Sequence, residues 1–305
     1  MSVAMRDAFG KKLAELGATH PELVVLDADV SSSTKSSYFA KEFPDRFFNV
    51  GVAEANMVDI AAGMATAGYH PVVNAFAIFL ALKGTDQIRN TVCYNNLPVI
   101  IAGAYGGLSD SFDGASHQAI TDIAIMRAFP NMQVLVPCDA KQAEQALEYA
   151  MNQKGPVYIR LNRNPMPDLP AGETLATVCS HEGSDVTIAA NGITASYANE
   201  AAKLLANEGI KAEVLCVPAV KPLDLASLRA SVKKTGRLLC VEEHALYGGF
   251  ASAVSEAFMK NGISCTFDAI GIEDVFAESG PYEPLLAKYG ISAENIANRA
   301  KALCK

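Results

Sequence analysis

Short, continuously apolar runs recur along this chain, and helix-forming segments separate most of them. Residues 23–26 (LVVL), 71–74 (PVVN), 98–102 (PVIIA), 133–137 (QVLVP) and 157–161 (VYIRL) are the first set. None alternates polar with apolar, so both faces of each strand must be covered, and that is the signature of a parallel sheet between two helical layers. After three closely spaced prolines, Pro165, Pro167 and Pro170, the pattern resumes with SDVTIAANG, AEVLCVPAV and RLLCVEEH. The expectation is an α/β chain of two α/β domains: residues 1–164, a linker over 165–182, and residues 183–305. At 305 residues the chain is long enough for both.

Local signals place the helices. Met5, Phe9, Leu13 and Leu16 share one helical face, and Gly17 is expected to close that helix. Asp139 reads as the N-cap of a helix over 142–152, and helices are expected over 120–128, 195–207 and 224–234. The segment 248–262 adds one more, and the stretch 284–303 reads as continuously helical. A helix after the 71–74 strand is expected to hold Phe76, Phe79 and Leu82.

The segment 47–68, FFNVGVAEANMVDIAAGMATAG, stands apart from these. Phe47, Val50 and Val52 read as the end of a buried strand, and a single carboxylate, Glu54, then opens a helix rich in Ala and Gly, which Gly68 stops. Such a helix has no bulky ridge, so a neighbouring backbone can approach it closely. A carboxylate there is ordinarily a cap or a dipole partner. The alternative is that Glu54 lies where ligands bind in α/β proteins, at the carboxyl end of a strand.

The formal charge of −8 and a pI near 5.2 argue against nucleic acid as the ligand. The longest apolar run, 72–82, contains Asn74 and is too short to span a bilayer, and the amphipathic N-terminal segment, which carries acidic residues and no h-region, reads as no signal peptide. The seven cysteines form no CxxC pair and read as reduced, buried thiols, neither a disulfide framework nor a zinc site, so a cytoplasmic protein is expected.

Three motifs in order carry a family resemblance: VGVAEANM (50–57), the spacing of Phe76 and Phe79, and DGASHQ (113–118). Over essentially its whole length the chain resembles the C-terminal subunit of a split transketolase, a thiamine-diphosphate enzyme of sugar metabolism. The resemblance implies a pyrimidine-binding domain followed by a transketolase C-terminal domain. It implies that Glu54 bonds N1′ of the cofactor's aminopyrimidine and favours its imino form, so that the cofactor's own N4′ serves as base. Phe76, Phe79 and Leu82 match the pyrimidine pocket, with Leu82 standing where many transketolases carry tyrosine, and Asp29 matches an aspartate near the cofactor. Asp113 and His117 match donor-sugar ligands, His117 also moving protons. Arg6, Ser33 and Arg163 match the acceptor-phosphate site, with Arg160 a rival for the arginine role.

Each residue also has an ordinary reading. The phenylalanines suit a core, Asp29 and Asp113-Gly114 suit turns, and the arginines suit a solvated surface. Glu242-Glu243-His244, at a strand end, looks like a site, but the resemblance implies an interface role there.

The chain departs from the family at two places. Tyr105 occupies the position of a phosphate-binding histidine, and Ser111-Phe112 replaces a Gly-Glu pair before Asp113. The family's diphosphate motif, GDG with a metal-ligating asparagine, is not found in the chain, nor is a Gly-rich phosphate loop. The resemblance therefore implies half an active site with no metal ligands of its own. A partner subunit is expected to supply the diphosphate domain and Mg2+ or Ca2+, in an α2β2 assembly with the Glu54 helix at a subunit contact. Two other readings stay open: a deoxyxylulose-phosphate-synthase-like condensation using pyruvate, and a non-catalytic regulatory subunit.

Overall fold

The computed structural model describes residues 3–169 and 175–305. Six strands form a parallel sheet in the order Gln133–Leu135, Val157–Leu161, Ile100–Ala104, His70–Phe76, Leu23–Asp27 and Phe47–Asn49. A seventh strand, Ala219–Lys221, arrives from the C-terminal half and pairs antiparallel with Gln133–Leu135. The second sheet runs Thr266–Ile272, Arg237–Ala245, Val186–Ala190, Ala212–Cys216 and Val178–His181, parallel except for the last. Both faces of the first sheet are covered, as continuous apolar strands require. Phe9 and Leu13 of the helix Met5–Thr19 pack with Val25 and Val72 on one side. Met57, Val58, Ala61 and Ala62 of the helix Glu54–Thr66 pack with Leu26 and Val73 on the other. Each fully buried Phe, Leu, Val or Met adds about 1.5–3 kcal/mol.

Register brings the strand ends level. Asp27 pairs with Asn49 and Asn74, Phe76 with Ala104, and Ala104 with Leu161. Asp29, Glu54, Phe76, Tyr105 and Arg163 therefore all lie at or just beyond one edge of one sheet.

Several local expectations need correcting. Gly17 does not close its helix, which runs on to Thr19; a Cβ on Gly17 would come within 2.4 Å of the Phe43 ring, so the glycine serves close approach. The strand before Glu54 is only Phe47–Asn49 and forms the sheet edge, leaving Phe48 and Val52 exposed. Phe76 is not helical: it ends the strand His70–Phe76 in an extended conformation, and the helix Ala77–Lys83 begins after it. The continuous helix over 284–303 is two, Tyr282–Lys288 and Ala293–Leu303, broken at Gly290 (φ 82°) and restarted by Ser292, whose side chain accepts from the Asn295 amide. The strand Thr266–Ile272 was hidden by its polar residues. It is an edge strand, and its Asp268 pairs outward with Arg299 Nε at 2.7 Å.

Within the stretch read as a linker, Pro165–Met166 pairs with Val3–Ala4, and Val178–His181 joins the second sheet; Pro170 lies outside the described residues. Cys93, Cys138, Cys216 and Cys240 are buried, whereas Cys179 is exposed and Cys265 and Cys304 are half-buried. Burial pushes the Cys93 thiol up to about 12 and the Cys216 thiol up to about 11, which keeps both protonated and unreactive. No helix among the described residues is long and apolar enough to cross a membrane.

Candidate active site

Glu54 sits at the first position of its helix and is buried to 4 % exposure, on the sheet's carboxyl edge. Its Oε1 lies 3.3 Å from Lys83 Nζ, and the same ammonium stands 4.2 Å over the Phe79 ring. Lys83 closes the helix that carries Phe79, so one element delivers both a ring and a cation. Sequence reasoning missed Lys83; its spacing of four residues from Phe79 was the available signal.

An aromatic cluster adjoins this carboxylate. Phe76 stacks on Phe79 with centroids 5.9 Å apart and tilts against Tyr105 at 4.5 Å. His117 meets the Phe79 ring edge-on at 5.1 Å, and its Nδ1 lies 3.0 Å from Ser116 Oγ. Leu82 is 56 % exposed and stands outside the buried clusters.

On the far side of Tyr105 the site turns cationic. Arg6 Nη1 donates to the Tyr105 hydroxyl at 2.5 Å and to the Ser33 backbone carbonyl at 3.2 Å. Ser33 thus enters through its main chain. Arg163 lies over the same ring at 5.0 Å and donates to Asp110 Oδ1 at 3.1 Å. Among the described residues neither Arg6 Nε, which lies 3.9 Å from Asp7 Oδ2, nor Asp110 Oδ2 has a hydrogen-bond partner, so two buried polar groups here retain bonding capacity for a ligand. Tyr105 holds φ at 61°, a left-handed conformation that costs a non-glycine residue on the order of 1–3 kcal/mol and that recurs at functional sites.

Two aspartates share the turn before these residues. Asp29 is exposed, holds φ at 66° and accepts from Asn49 Nδ2 at 2.8 Å. Asp27 organises the turn: buried, it accepts from the Val30 amide at 2.6 Å, Ser36 Oγ at 2.8 Å and Thr34 Oγ1 at 3.0 Å. Burial raises its carboxyl above the usual range against these three bonds.

Arg160 is not at the site. It is buried between the domains, donating to Asp122 Oδ2 at 2.8 Å, the Ala119 carbonyl at 2.7 Å and the Glu243 carbonyl at 2.9 Å. Glu242, Glu243 and His244 are buried at the same contact. Glu242 accepts from the amides of Phe250 (2.6 Å) and Ala251 (2.9 Å), capping the helix Phe250–Lys260. Burial raises Glu242 to about 8 and Glu243 to about 7, and lowers His244 to about 4.

Comparison with known proteins identifies both domains. Residues 1–168 match the family described as transketolase, pyrimidine binding domain, and residues 176–296 match transketolase, C-terminal domain. The chain belongs to the transketolase family. It is 40 % identical over 301 residues to a putative transketolase C-terminal section of Methanocaldococcus jannaschii, covering 97 % of this chain and 94 % of that protein. It is 35 % identical over 300 residues to the 6-deoxy-6-sulfo-D-fructose transketolase subunit SqwH of a Clostridium species, covering 97 % and 93 %. A solved split gene transketolase, described as an inactive beta4 tetramer, superposes with a TM-score of 0.91 at 44 % identity over 99 % of this chain and 98 % of that one. The 1-deoxy-D-xylulose-5-phosphate synthase of Symbiobacterium thermophilum is 37 % identical over 308 residues, but this transketolase-family chain spans only 47 % of its length.

Proposed function

We propose that this chain is one subunit of a thiamine-diphosphate-dependent transketolase that moves a two-carbon ketol unit from a ketose donor to an aldose acceptor. The observation that carries the reading is a buried carboxylate, Glu54, at the sheet's carboxyl edge, linked through Lys83 to the Phe79 ring that packs with Phe76 and His117. A flat heteroaromatic ring with a nitrogen needing a strong hydrogen-bond partner fits that chemistry. When bound, thiamine diphosphate supplies the carbon nucleophile and an internal base. Glu54 holds the pyrimidine and sets its proton distribution, and the two phenylalanines orient the ring. Asp113 and His117 face the donor, His117 holding or moving a proton at its hydroxyketone end.

Arg6, Tyr105 and Arg163 receive the anionic end of a sugar, supported by Arg6 Nε, which makes no hydrogen bond among the described residues. Tyr105 offers one neutral hydroxyl where the family has a histidine, and Asp110 already offsets part of the Arg163 charge. The substrate is accordingly a sugar whose shape or terminal group differs from the common pentose phosphates, in keeping with the sulfo-sugar named for one relative.

A partner subunit contributes the diphosphate domain and Mg2+ or Ca2+, in an α2β2 assembly. The relative that spans only a transketolase C-terminal section, and the inactive tetramer of beta chains, support that division. A pyruvate-dependent condensation is the second reading, favoured by the identity to the deoxyxylulose-phosphate synthase. Calorimetry is the test. The chain alone should bind thiamine diphosphate and magnesium weakly, and the chain with its partner should bind tightly and turn over a ketose donor. Tight binding by the chain alone contradicts the half-site reading, and turnover of pyruvate in place of a ketose selects the second one.

A further inference from the structure

The loop between Tyr105 and Gln118 carries Asp113 and His117, and besides its bonds to Leu161 and Arg163 in its own domain it is tied to the C-terminal domain. Glu243, 3 % exposed on the strand Arg237–Ala245, accepts from the Leu108 amide at 2.8 Å and the Tyr282 hydroxyl at 2.9 Å through Oε1. Its Oε2 accepts from Asn162 Nδ2 at 3.1 Å. Gly107, at φ 67°, passes so close that a Cβ there would lie 2.2 Å from the Glu243 carboxyl carbon. Two further bonds fasten the distal half of the loop to the C-terminal domain. The Gly280 amide donates to the Ser111 carbonyl, and Gln118 Nε2 donates to the Glu278 carbonyl, each at 3.0 Å.

We infer that Glu243 is a positioning residue for this loop, and that the C-terminal domain sets donor-sugar affinity by fixing Asp113 and His117. The inference rests on the proposed transketolase activity for its functional half, while the mechanical half is independent of it. A buried carboxylate with three donors is a costly group to place in a core, and its geometry is fully satisfied only when Leu108 lies where it does. Moving the loop leaves Oε1 one donor short. Moving Glu243 leaves a buried amide unpaired at the head of the loop. The two ends of the bond are 135 residues apart, so loop and domain report each other's position.

The test has two arms. In the chain alone, amide hydrogen exchange is followed in peptides from the loop (105–118) and from the Glu54 helix. Glu243→Gln is isosteric and keeps a carbonyl for Leu108 while losing the charge. It should raise loop exchange about tenfold, Glu243→Ala about a hundredfold, and Tyr282→Phe less than either, with the Glu54 helix unchanged. In the assembled enzyme, Glu243→Gln should raise donor KM at least about fivefold and leave exchange of the thiamine C2 proton at the wild-type rate. Should Glu243→Ala fail to fold, Glu243→Gln decides. Wild-type loop exchange in a folded Glu243→Gln overturns the mechanical claim, and faster loop exchange with unchanged donor KM overturns the functional one. Absence of C2 exchange in the wild-type assembly would instead be a failure of the transketolase reading, and the loop-exchange arm would still stand.

Discussion

Tyr105 concentrates the specificity question in one side chain. It is pressed between the Phe76 ring and two guanidinium groups, and its hydroxyl is already engaged by Arg6. A neutral hydroxyl gives an anion less than a partly cationic imidazole can. Tyr105→His should therefore improve use of a dianionic pentose phosphate by roughly 1–2 kcal/mol, about five- to thirtyfold in kcat/KM, and weaken use of the native sugar. Comparing both proteins against ribose 5-phosphate and a panel of modified sugars checks this; equal efficiency everywhere would make the tyrosine neutral. Glu54, Phe76, Phe79, Asp113 and His117 could be picked out of the sequence because each sits in a short motif. The contacts that define their chemistry could not, even where, as with Arg6 and Tyr105, both residues stood out in the sequence. Lys83 reaches Glu54 across 29 positions and Arg6 reaches Tyr105 across 99, distances over which local pattern carries no signal. Arg160 and Arg163, three residues apart, looked interchangeable until burial separated a structural cation from one at the site.

At the scale of elements, continuous apolar strands were readable because burial on both faces leaves no alternation to misjudge. Edge strands were not: Phe47–Asn49 has the apolar look of a buried strand and Thr266–Ile272 lacks a continuous apolar run, because one side of each is free to carry polar or exposed groups. Glycine misled in a specific way. Gly17 resembles a stop, yet it lies inside the helix where the rings of Phe39 and Phe43 come closest. Helix propensity alone would make Gly17→Ala stabilising by about 1 kcal/mol. Overpacking against two rings opposes this with about 1–3 kcal/mol, so the net expectation is destabilisation. A denaturant midpoint lower than wild type bears this out, and a higher one contradicts the close approach.

The two domains form one working unit through a buried polar contact, and that contact should be visible in the pH dependence of stability. Glu242 and Glu243 have folded values of about 8 and about 7, raised by burial. Folding therefore keeps protons that the unfolded chain releases above about 4.3, and this contribution is lost as pH rises through 7 to 8. His244 works oppositely: lowered to about 4, it costs stability only as pH falls below its unfolded value of about 6.5. Between pH 6.5 and 8 the carboxylates act alone, so the melting temperature should fall as pH rises, and Glu243→Gln should flatten that slope. Parallel slopes in the two proteins would contradict the assignment.

On the proposed function, the whole molecule is half of a catalytic centre: a carboxylate, an aromatic clamp and a sugar site on one sheet edge, to be completed by a partner chain. The most direct test of that claim is the rate at which the thiamine C2 proton exchanges with solvent in the assembled enzyme, wild type against Glu54→Gln. Loss of the charge-assisted bond removes about 1.5–3 kcal/mol of ground-state binding. Because the same carboxylate sets the proton distribution on the pyrimidine, exchange should slow further, by at least about a hundredfold, with the fold and assembly intact. Exchange at the wild-type rate in Glu54→Gln would reduce Glu54 to a helix cap and contradict the account.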